Sequence, residues 1–420
     1  MSLYFDSLIE KPAIIIDIGH AYTKYGFSGE HAPHSIIPTK LNQGTISTNF
    51  KKLISIYDYK DLLESNVLPS LKEKKEEEHL REMLIEFIYR IYYKILNANS
   101  RERKVVVVES ILTSVQFRNI LAEVLFKNFQ AVSVLFIPSH LASIYTLGIT
   151  TGLVLDCGYV DCQIMPIAEG VALSGLCDFV NLGAKRLHRE IENLILKFSS
   201  VSIGANKIPF SQLKTQPKLT EEVLEDIKIR CCFVTSFERS RAYNKEIQEK
   251  KLEYGASDGL SFKFAPELEY NLDNNVLLHV PGFVREMAFE CLFVDQIDSN
   301  QTLPNLILNT ILNCPIDYKK SLAENVILIG GTCMLTGFKS RLVNEINYLL
   351  SGEYSDKLKI KKLMYHVTPS KENYTAWLGA SIFGTLDILD SKSILSLKYK
   401  EMDKLPDWFQ ISPKREMHNI

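Results

Sequence analysis

Two short motifs in this chain each join a carboxylate to a glycine at the end of an apolar run. Asp17-Ile18-Gly19 follows the run at residues 13–16, and Asp156-Cys157-Gly158 follows the run at residues 153–155. An Asp in this position lies at the carboxyl end of a strand, where open α/β sheets bind ligands. The glycine lets backbone N–H groups approach phosphate oxygens, and two such carboxylates can order the water shell of Mg²⁺. The motifs therefore indicate a phosphate and magnesium site.

Two further features support this interpretation. Lys24 lies on the apolar stretch after the first motif, within reach of a phosphate, and Gly330-Gly331-Thr332 follows the buried run at residues 326–329, where we expect it to open a helix near a nucleoside. One D-x-G motif is common by chance, and its Asp can simply cap a tight turn. Two motifs together with the Gly-Gly-Thr turn favour a nucleotide cleft between two lobes over turn capping.

The elements that must position these motifs form an internal repeat. Each motif stands between two apolar stretches and predicts a β-hairpin, so the chain is expected to contain two lobes of related construction. The β-branched run at residues 105–108 predicts a buried parallel strand, and apolar residues at helical spacing near 80–95 predict an amphipathic helix. Alternation of such strands and helices predicts α/β lobes. We interpret residues 199–275 as a polar insertion with one helix at 221–233.

The composition excludes several classes of protein. The 420 residues carry a net charge of −2, which argues against a nucleic-acid coat or a polybasic membrane binder. The eight cysteines form no C-x-x-C pair, so we expect free thiols in a reducing compartment rather than a metal site. No secretory signal is expected at the N-terminus, and the apolar segment at 131–149, which Pro138 interrupts, predicts a buried strand followed by a core helix.

At this level of detail the sequence resembles the actin family over nearly its whole length. The similar segments are residues 17–30 (first phosphate loop), 153–158 (second phosphate loop), 222–228 (a helix that reaches the nucleoside), 328–337 (adenosine motif) and 374–381. The resemblance implies an α/β actin fold, with two related lobes and four subdomains around a nucleotide cleft. The implied subdomains are residues 1–38, 73–147 and 376–420 (first), 39–72 (second, a shortened insertion), 148–183 and 276–375 (third), and 184–275 (fourth).

The resemblance also implies which residues would bind ATP or ADP with Mg²⁺. The matching positions are Asp17, Gly19, His20, Ala21, Tyr22, Lys24, Asp156, Gly158, Lys228, Gly331 and Met334. Asp17 and Asp156 would hold the metal indirectly, through water.

Departures from the actin pattern indicate that hydrolysis is lost. Tyr159 and Val160 replace a small acidic residue and a glycine in the second phosphate loop. Ser139 replaces the glutamine that orients the attacking water, and Gln163 replaces a catalytic histidine. Because positioning of the water is most of what phosphoryl-transfer catalysis needs, we expect no catalytic residues and no ATP hydrolysis. Further departures at the nucleotide are His20 for a phosphate-contacting serine, and Ile229 and Asn373 for a glutamate and a lysine that flank the nucleoside.

Particular segments resemble one branch of the family, the pointed-end actin-related proteins of dynactin. These segments are residues 109–110, 136–141, 156–159, 314–325 and 405–408. This implies a cytoplasmic, cytoskeletal subunit that ends a short actin-like filament. Its partners would be the adjacent actin or actin-related subunit, dynactin subunits 4, 5 and 6, and indirectly dynein and its cargo, with no nucleic acid and no membrane insertion.

The shortened stretch at residues 39–72 supports that role, because actins insert a loop from this region into the next subunit and a filament end does not need it. Free drift of a surface insertion is the alternative explanation. Two other functions remain open: an ATPase or phosphotransferase of the wider superfamily, and an ATP-hydrolysing actin-related protein of a chromatin remodeller.

Overall fold

The structure is a computed structural model that describes residues 11–39, 71–204, 206–213, 217–251, 260–273, 276–294, 302–402 and 405. The chain divides into two compact units. The first comprises Met1–Val154, Ile167–Gly175 and Val367–Ile420, and the second comprises Leu155–Pro166 and Leu176–His366. The predicted shortened loop at 39–72, except for residues 39, 71 and 72, lies outside the described residues.

Strands and helices alternate along the described chain. The strands are β1 (Ile14–Ile18), β2 (Tyr22–Phe27), β3 (Ser35–Pro38), β4 (Val105–Glu109), β5 (Ser133–Pro138), β6 (Gly152–Cys157), β7 (Cys162–Ala168), β8 (Val171–Ala172), β9 (Asp178–Val180), β10 (Ser200–Ile203), β11 (Asn206–Pro209), β12 (Leu268–Asp273), β13 (Val276–Val280), β14 (Val326–Ile329) and β15 (Ile394–Leu395). The α-helices are α1 (Leu71–Tyr89), α2 (Val115–Glu123), α3 (Ser139–Tyr145), α4 (Ala184–Phe198), α5 (Glu221–Arg230), α6 (Phe237–Lys250), α7 (Gly282–Met287), α8 (Leu303–Asn313), α9 (Ile316–Glu324), α10 (Phe338–Ser351), α11 (Thr375–Phe383), α12 (Ile388–Lys392) and α13 (Ser396–Met402).

The first unit is built on a six-stranded sheet in the order β15-β5-β4-β1-β2-β3. Strand β4 pairs in parallel with β1 and β5, with Val107 beside Ile16 and Phe136, and every residue of β4 is buried. The predicted buried parallel strand is therefore confirmed. Strand β1 turns back into β2 as an antiparallel hairpin, as the first D-x-G motif predicts.

Helices α1 and α2 end in the same unusual way before the strands that follow them. Each continues into a π-helical turn, Arg90–Ile95 or Val124–Asn128. A residue with positive φ then ends each helix, Asn97 at 46° and Gln130 at 53°. The apolar face predicted for α1, which includes Leu84 and Ile88, packs into the core.

Helix α3 directly follows β5, so the apolar segment at 131–149 forms the predicted strand and core helix. None of the described helices is long and apolar enough to span a membrane.

The second unit contains a four-stranded antiparallel sheet in the order β11-β10-β13-β12. A further sheet has the order β14-β6-β7-β8, with β9 also paired to β7, and β6 and β7 form the hairpin of the second D-x-G motif. Helix α10 buries Phe338, Leu342 and Ile346 at the predicted spacing.

Two sequence expectations for the second unit are wrong. The polar region 199–275 contains two helices rather than one, because α6 follows α5. Helix α6 buries only Ser240 and Tyr243, so hydrophobic periodicity gave no signal for it. The Gly330-Gly331-Thr332 motif opens a short 3-10 turn, Gly331–Met334, and the next α-helix begins only at Phe338.

Candidate functional site

The first D-x-G hairpin in the first unit is closed by main-chain and side-chain hydrogen bonds. The Gly19 N–H donates to the Tyr22 carbonyl oxygen at 3.1 Å. The Thr39 hydroxyl donates to the Gly19 carbonyl at 2.7 Å and lies 2.9 Å from the Thr23 hydroxyl. The turn that carries His20 and Ala21 is therefore fixed from both sides.

Asp17 and Lys24 face each other across this hairpin. They are paired in the register of β1 and β2, and Lys24 Nζ donates to Asp17 Oδ2 at 2.9 Å. Both side chains remain partly exposed, at 14% for Asp17 and 16% for Lys24. An exposed carboxylate can order water around Mg²⁺, and the ammonium beside it can contact a phosphate. The first unit thus has the charges that a metal-bound phosphate requires.

The second hairpin repeats the hydrogen bonds of the first. The Gly158 N–H donates to the Asp161 carbonyl at 2.9 Å, three residues on, as Gly19 does to Tyr22. The Thr332 hydroxyl donates to the Gly158 carbonyl at 2.8 Å, as Thr39 does at Gly19. Neither threonine contact was predicted, although Thr332 lay in a motif that the sequence singled out.

The Gly-Gly-Thr turn packs directly on the second hairpin. Gly330 has a φ of +93°, and a Cβ there would lie 2.2 Å from the Cys157 carbonyl oxygen and 2.8 Å from Asp156 Oδ1. Only glycine combines this backbone conformation with such a close approach. Around a Cβ built on Gly331, by contrast, no described atom lies within 4 Å, so this position is open to a ligand.

The first residues of α4 hold the carbonyl groups of the second loop. N–H groups of Gly183, Ala184 and Lys185 donate to the carbonyls of Val160, Gly158 and Tyr159 at 3.3, 3.2 and 2.7 Å. The start of the helix therefore binds the protein's own loop.

The Tyr159 side chain extends toward α4 and α5. Its ring meets the His188 ring edge-on, with centroids 5.8 Å apart. Burial, and then the neighbouring carboxylates led by Glu221, raise the pKa of the Tyr159 hydroxyl well above its ordinary value. The tyrosine is thus neutral and forms part of the packing between the hairpin and the two helices.

Lys228, predicted to bind nucleotide, is buried in an internal ion pair. Its Nζ donates to Glu225 Oε2 at 2.6 Å, and its side chain is only 8% exposed. His188 Nε2 lies 2.8 Å from the same oxygen. Burial alone would raise the pKa of Glu225, but the hydrogen bond from His188 and the charge of Lys228 lower it to about 2. Sequence reasoning missed His188, which lies in no recognised motif, and it assigned no role to Glu225, although residues 222–228 were identified by resemblance.

Hydrogen-bonded polar side chains occupy positions 139 and 163, where the family resemblance implies a glutamine and a histidine in actins. Ser139 begins α3, and its Oγ lies 3.3 Å from His140 Nδ1. Gln163 is buried, and its amide donates to Asp161 Oδ1 at 2.6 Å. This local amide contact orients Gln163 toward the hairpin's own carboxylate.

The predicted site residues fall into two groups, one in each unit. The first unit brings Asp17, Gly19, His20, Ala21, Tyr22 and Lys24 together on one hairpin. The second unit contains Asp156, Gly158, Lys228, Gly331 and Met334. Of the substituted positions, Ile229 is 66% exposed beside buried Lys228. Within the first unit, the charges of Asp17 and Lys24 fit a magnesium-bound phosphate. Within the second unit, Gly331 is open, whereas buried Lys228 and apolar Ile229 do not fit a nucleoside.

The alternation of strands and helices with two D-x-G hairpins agrees with comparisons to known proteins. A model of the actin family matches residues 9–405, so this chain belongs to the actin family.

Three relatives have similar lengths to this chain. It is 29% identical to a protein named actin-related protein 10 from Dictyostelium discoideum, over 96% of this chain and 90% of that protein. It is 26% identical to a centractin of Saccharomyces cerevisiae, over 88% of this chain and 89% of the relative. It is 24% identical to a putative actin-29 of Dictyostelium discoideum, over 96% and 97% respectively.

Proposed function

We propose that this chain is a non-catalytic structural subunit of dynactin that caps the pointed end of its actin-like filament and so supports dynein-driven transport on microtubules. The similarity to actin-related protein 10 over 96% of the chain supports the assignment to this branch of the family. The segments at residues 109–110, 136–141 and 314–325, which resemble pointed-end subunits, support it further.

The observation that carries the non-catalytic part of the proposal is the arrangement of the second hairpin. Tyr159 packs against His188, and the Gln163 amide donates to Asp161 at 2.6 Å. Hydrolysis of a phosphoanhydride requires a side chain that holds water in line with the phosphate. Ser139, at the third relevant position, is too short for that task. Any ATP or ADP that the chain binds with Mg²⁺ is therefore expected not to be hydrolysed.

The proposed partners follow from the filament-end role. They are the adjacent actin or actin-related subunit and dynactin subunits 4, 5 and 6, with dynein and cargo as indirect partners in the cytoplasm. The contact with the adjacent subunit is heterologous, and a cap must offer only one of the two complementary faces.

Affinity purification of the tagged full chain with mass spectrometry tests the assignment. Stoichiometric recovery of dynactin subunits is the expected result. The main alternative is an ATP-hydrolysing actin-related protein of another complex, and recovery of chromatin-remodelling subunits instead would replace our proposal with that one.

A turnover assay tests the non-catalytic part separately. We expect purified protein to release no phosphate from Mg-ATP above the background of the Asp17→Asn variant. Turnover in the unmodified chain that this substitution abolishes would identify an enzyme.

A further inference from the structure

Five side chains of the second unit join the β6–β7 hairpin to α4 and α5. We call them the α4–α5 network: Tyr159, His188, Glu221, Glu225 and Lys228. Tyr159 comes from the hairpin, His188 lies on α4, and the other three lie on α5. The network contains two of the positions at which the family resemblance implies contact with a nucleotide or its phosphates, 159 and 228.

The contacts around Glu225 are short. Glu225 Oε2 accepts from Lys228 Nζ at 2.6 Å and lies 2.8 Å from His188 Nε2. Lys228 Nζ and His188 Nε2 are 3.5 Å apart, so the three groups form one cluster. The ring of Tyr159 meets the His188 ring edge-on, with centroids 5.8 Å apart.

This geometry is at odds with a nucleoside held by Lys228. Lys228 Nζ already donates to Glu225 and lies 3.5 Å from His188 Nε2, and its side chain is only 8% exposed, so little of the ammonium is accessible to a ligand. Drawing it away from Glu225 would leave an uncompensated charge, which is strongly unfavourable. The neighbouring residue that points outward, Ile229, offers no hydrogen bond to a sugar hydroxyl.

We propose that the α4–α5 network stabilises the second unit without a nucleotide, and that it replaces the nucleoside as the link between the hairpin, α4 and α5. The proposal rests on the non-catalytic function proposed above, because a subunit that never turns over ATP needs no exchangeable nucleoside in its fold.

The first test compares thermal unfolding of the full chain after treatment with EDTA and apyrase with unfolding in saturating Mg-ATP. A ligand that binds only the folded state raises the melting temperature, by several degrees when it is well above its Kd. Mg-tripolyphosphate is the control for binding through the phosphates alone, and we expect Mg-ATP to raise the melting temperature by less than about 1 °C more than this control does. A rise several degrees larger with Mg-ATP than with Mg-tripolyphosphate would overturn the proposal, and this measurement needs no variant.

The second test removes one charge of the network. Lys228→Met is expected to lower the melting temperature by roughly 5 °C or more in nucleotide-free protein. Arg230→Met is the matched control, because Arg230 lies on the same helix and makes an exposed ion pair to Asp226 at 2.8 Å. That control should shift the melting temperature by less than about 1 °C.

A double variant shows whether the stability loss in Lys228→Met comes from the unpaired charge of Glu225 or from a packing defect. Glu225→Gln combined with Lys228→Met removes both charges, so part of the loss caused by Lys228→Met should be recovered. Equal or greater loss in the double variant would contradict the proposed coupling. A nucleotide-dependent rise that Lys228→Met abolishes would instead show that Lys228 faces a ligand.

These outcomes are independent of the proposed function. A chain that co-purifies with dynactin and releases no phosphate, yet needs nucleotide to fold, would retain the cap role and lose the network proposal. A chain that is equally stable without nucleotide but does not co-purify with dynactin would contradict the cap role and leave the network proposal intact.

Discussion

Arg341 makes five hydrogen bonds inside the second unit. It is 1% exposed, and its guanidinium donates to both carboxylate oxygens of Glu290, at 2.8 and 3.0 Å, and to Glu345 at 2.9 Å. It also donates to the Thr235 carbonyl and the Ser240 hydroxyl. Because these partners lie on or beside α6 and α10, a single residue fixes both helices.

Replacing Arg341 should therefore be costly. Arg341→Met removes the buried cation that binds the carboxylates of Glu290 and Glu345, and we expect a loss of about 3–5 kcal/mol in the free energy of unfolding. Chemical denaturation of the full chain measures it. The control is Lys245→Met, which breaks an exposed ion pair at 3.7 Å and should cost less than about 0.5 kcal/mol. Equal effects of the two substitutions would contradict the structural role of Arg341.

The lowered pKa of Glu225 predicts that the stability of the folded chain depends on pH. The pKa of Glu225 falls from an ordinary value of 4.5 to about 2 in the folded chain, so the unfolded chain binds more protons between these values. The stabilisation is complete above about pH 4.5 and is lost as the pH falls toward 2. It amounts to at most about 3 kcal/mol, because the two pKa values differ by about 2.5 and each pKa unit corresponds to about 1.4 kcal/mol.

Denaturant unfolding across this window, compared between the wild-type chain and Glu225→Gln, measures that contribution. The variant should lose less stability on acidification than the wild-type chain, whereas a variant at exposed Glu238, Glu238→Gln, should behave as wild type. Parallel curves for Glu225→Gln and the wild-type chain would refute the linkage.

For individual residues, the sequence predicted which elements carry the candidate site residues better than it predicted their side-chain contacts. Asp17 and Lys24 lie on the predicted strands and pair across the hairpin, because adjacent strands bring them into register. Lys228 and Glu225 lie three residues apart on α5 and form a local ion pair, whereas the contact of His188 with Glu225 depends on how α4 packs against α5. Local patterns carry no information about such packing. The nucleotide contacts of these residues stay predictions.

Among the elements, α11 and α3 approach each other unusually closely. A Cβ on Gly379 would lie 1.7 Å from the Ala142 carbonyl oxygen, so glycine is required for the two helices to touch. On the same helix, the Trp377 indole donates to the Ile15 carbonyl at 3.3 Å. Helix α11 thereby joins α3 to the central strand β1.

Gly379→Ala should separate these elements. Because the clash is with backbone rather than a movable side chain, we expect a loss of about 3 kcal/mol or more. Differential scanning calorimetry of the full chain measures the loss. Gly175→Ala is the control, since no described atom lies within 4 Å of a Cβ there and the change should be within about 0.5 kcal/mol of neutral. A folded, unperturbed Gly379→Ala protein would show that the close approach is not needed.

Elements with a strong periodic pattern were predictable, and elements held by polar contacts were not. The apolar run of β4 and the apolar residues at helical spacing in α10 show from the sequence alone which side chains are buried. Helix α6 is held by Arg239 bound to Glu286 and by Ser240 bound to Glu290, at 2.7–3.1 Å. These partners lie about 50 residues away along the chain, outside any periodic window.

For the whole molecule, the cap proposal makes a prediction about assembly. Added to preformed filaments of its actin-like partner, the chain should occupy one end at one copy per filament and should not join along the length. Electron microscopy of gold-labelled protein measures this distribution. Incorporation throughout the filament would identify a polymerising subunit instead. The sequence links binding at one filament end to the shortened segment at 39–72, which lies almost entirely outside the described residues.

The repeat of D-x-G hairpins predicted two lobes of related construction, and matching hydrogen bonds at Gly19 and Gly158 are found in both hairpins. The division of the chain into four subdomains remains a prediction. Its proposed boundaries come from resemblance rather than from any pattern in the residues themselves.

The contact of α11 with α3 and β1 has a consequence for synthesis on the ribosome. Strand β1 and helix α3 emerge early, but Thr375–Phe383, which covers them, is translated more than 200 residues after α3. At about 5–20 residues per second, the delay is on the order of tens of seconds. During that interval we expect the apolar faces of these elements to be exposed in the nascent polypeptide, so chaperone protection of its early segments is expected until the last helices leave the exit tunnel.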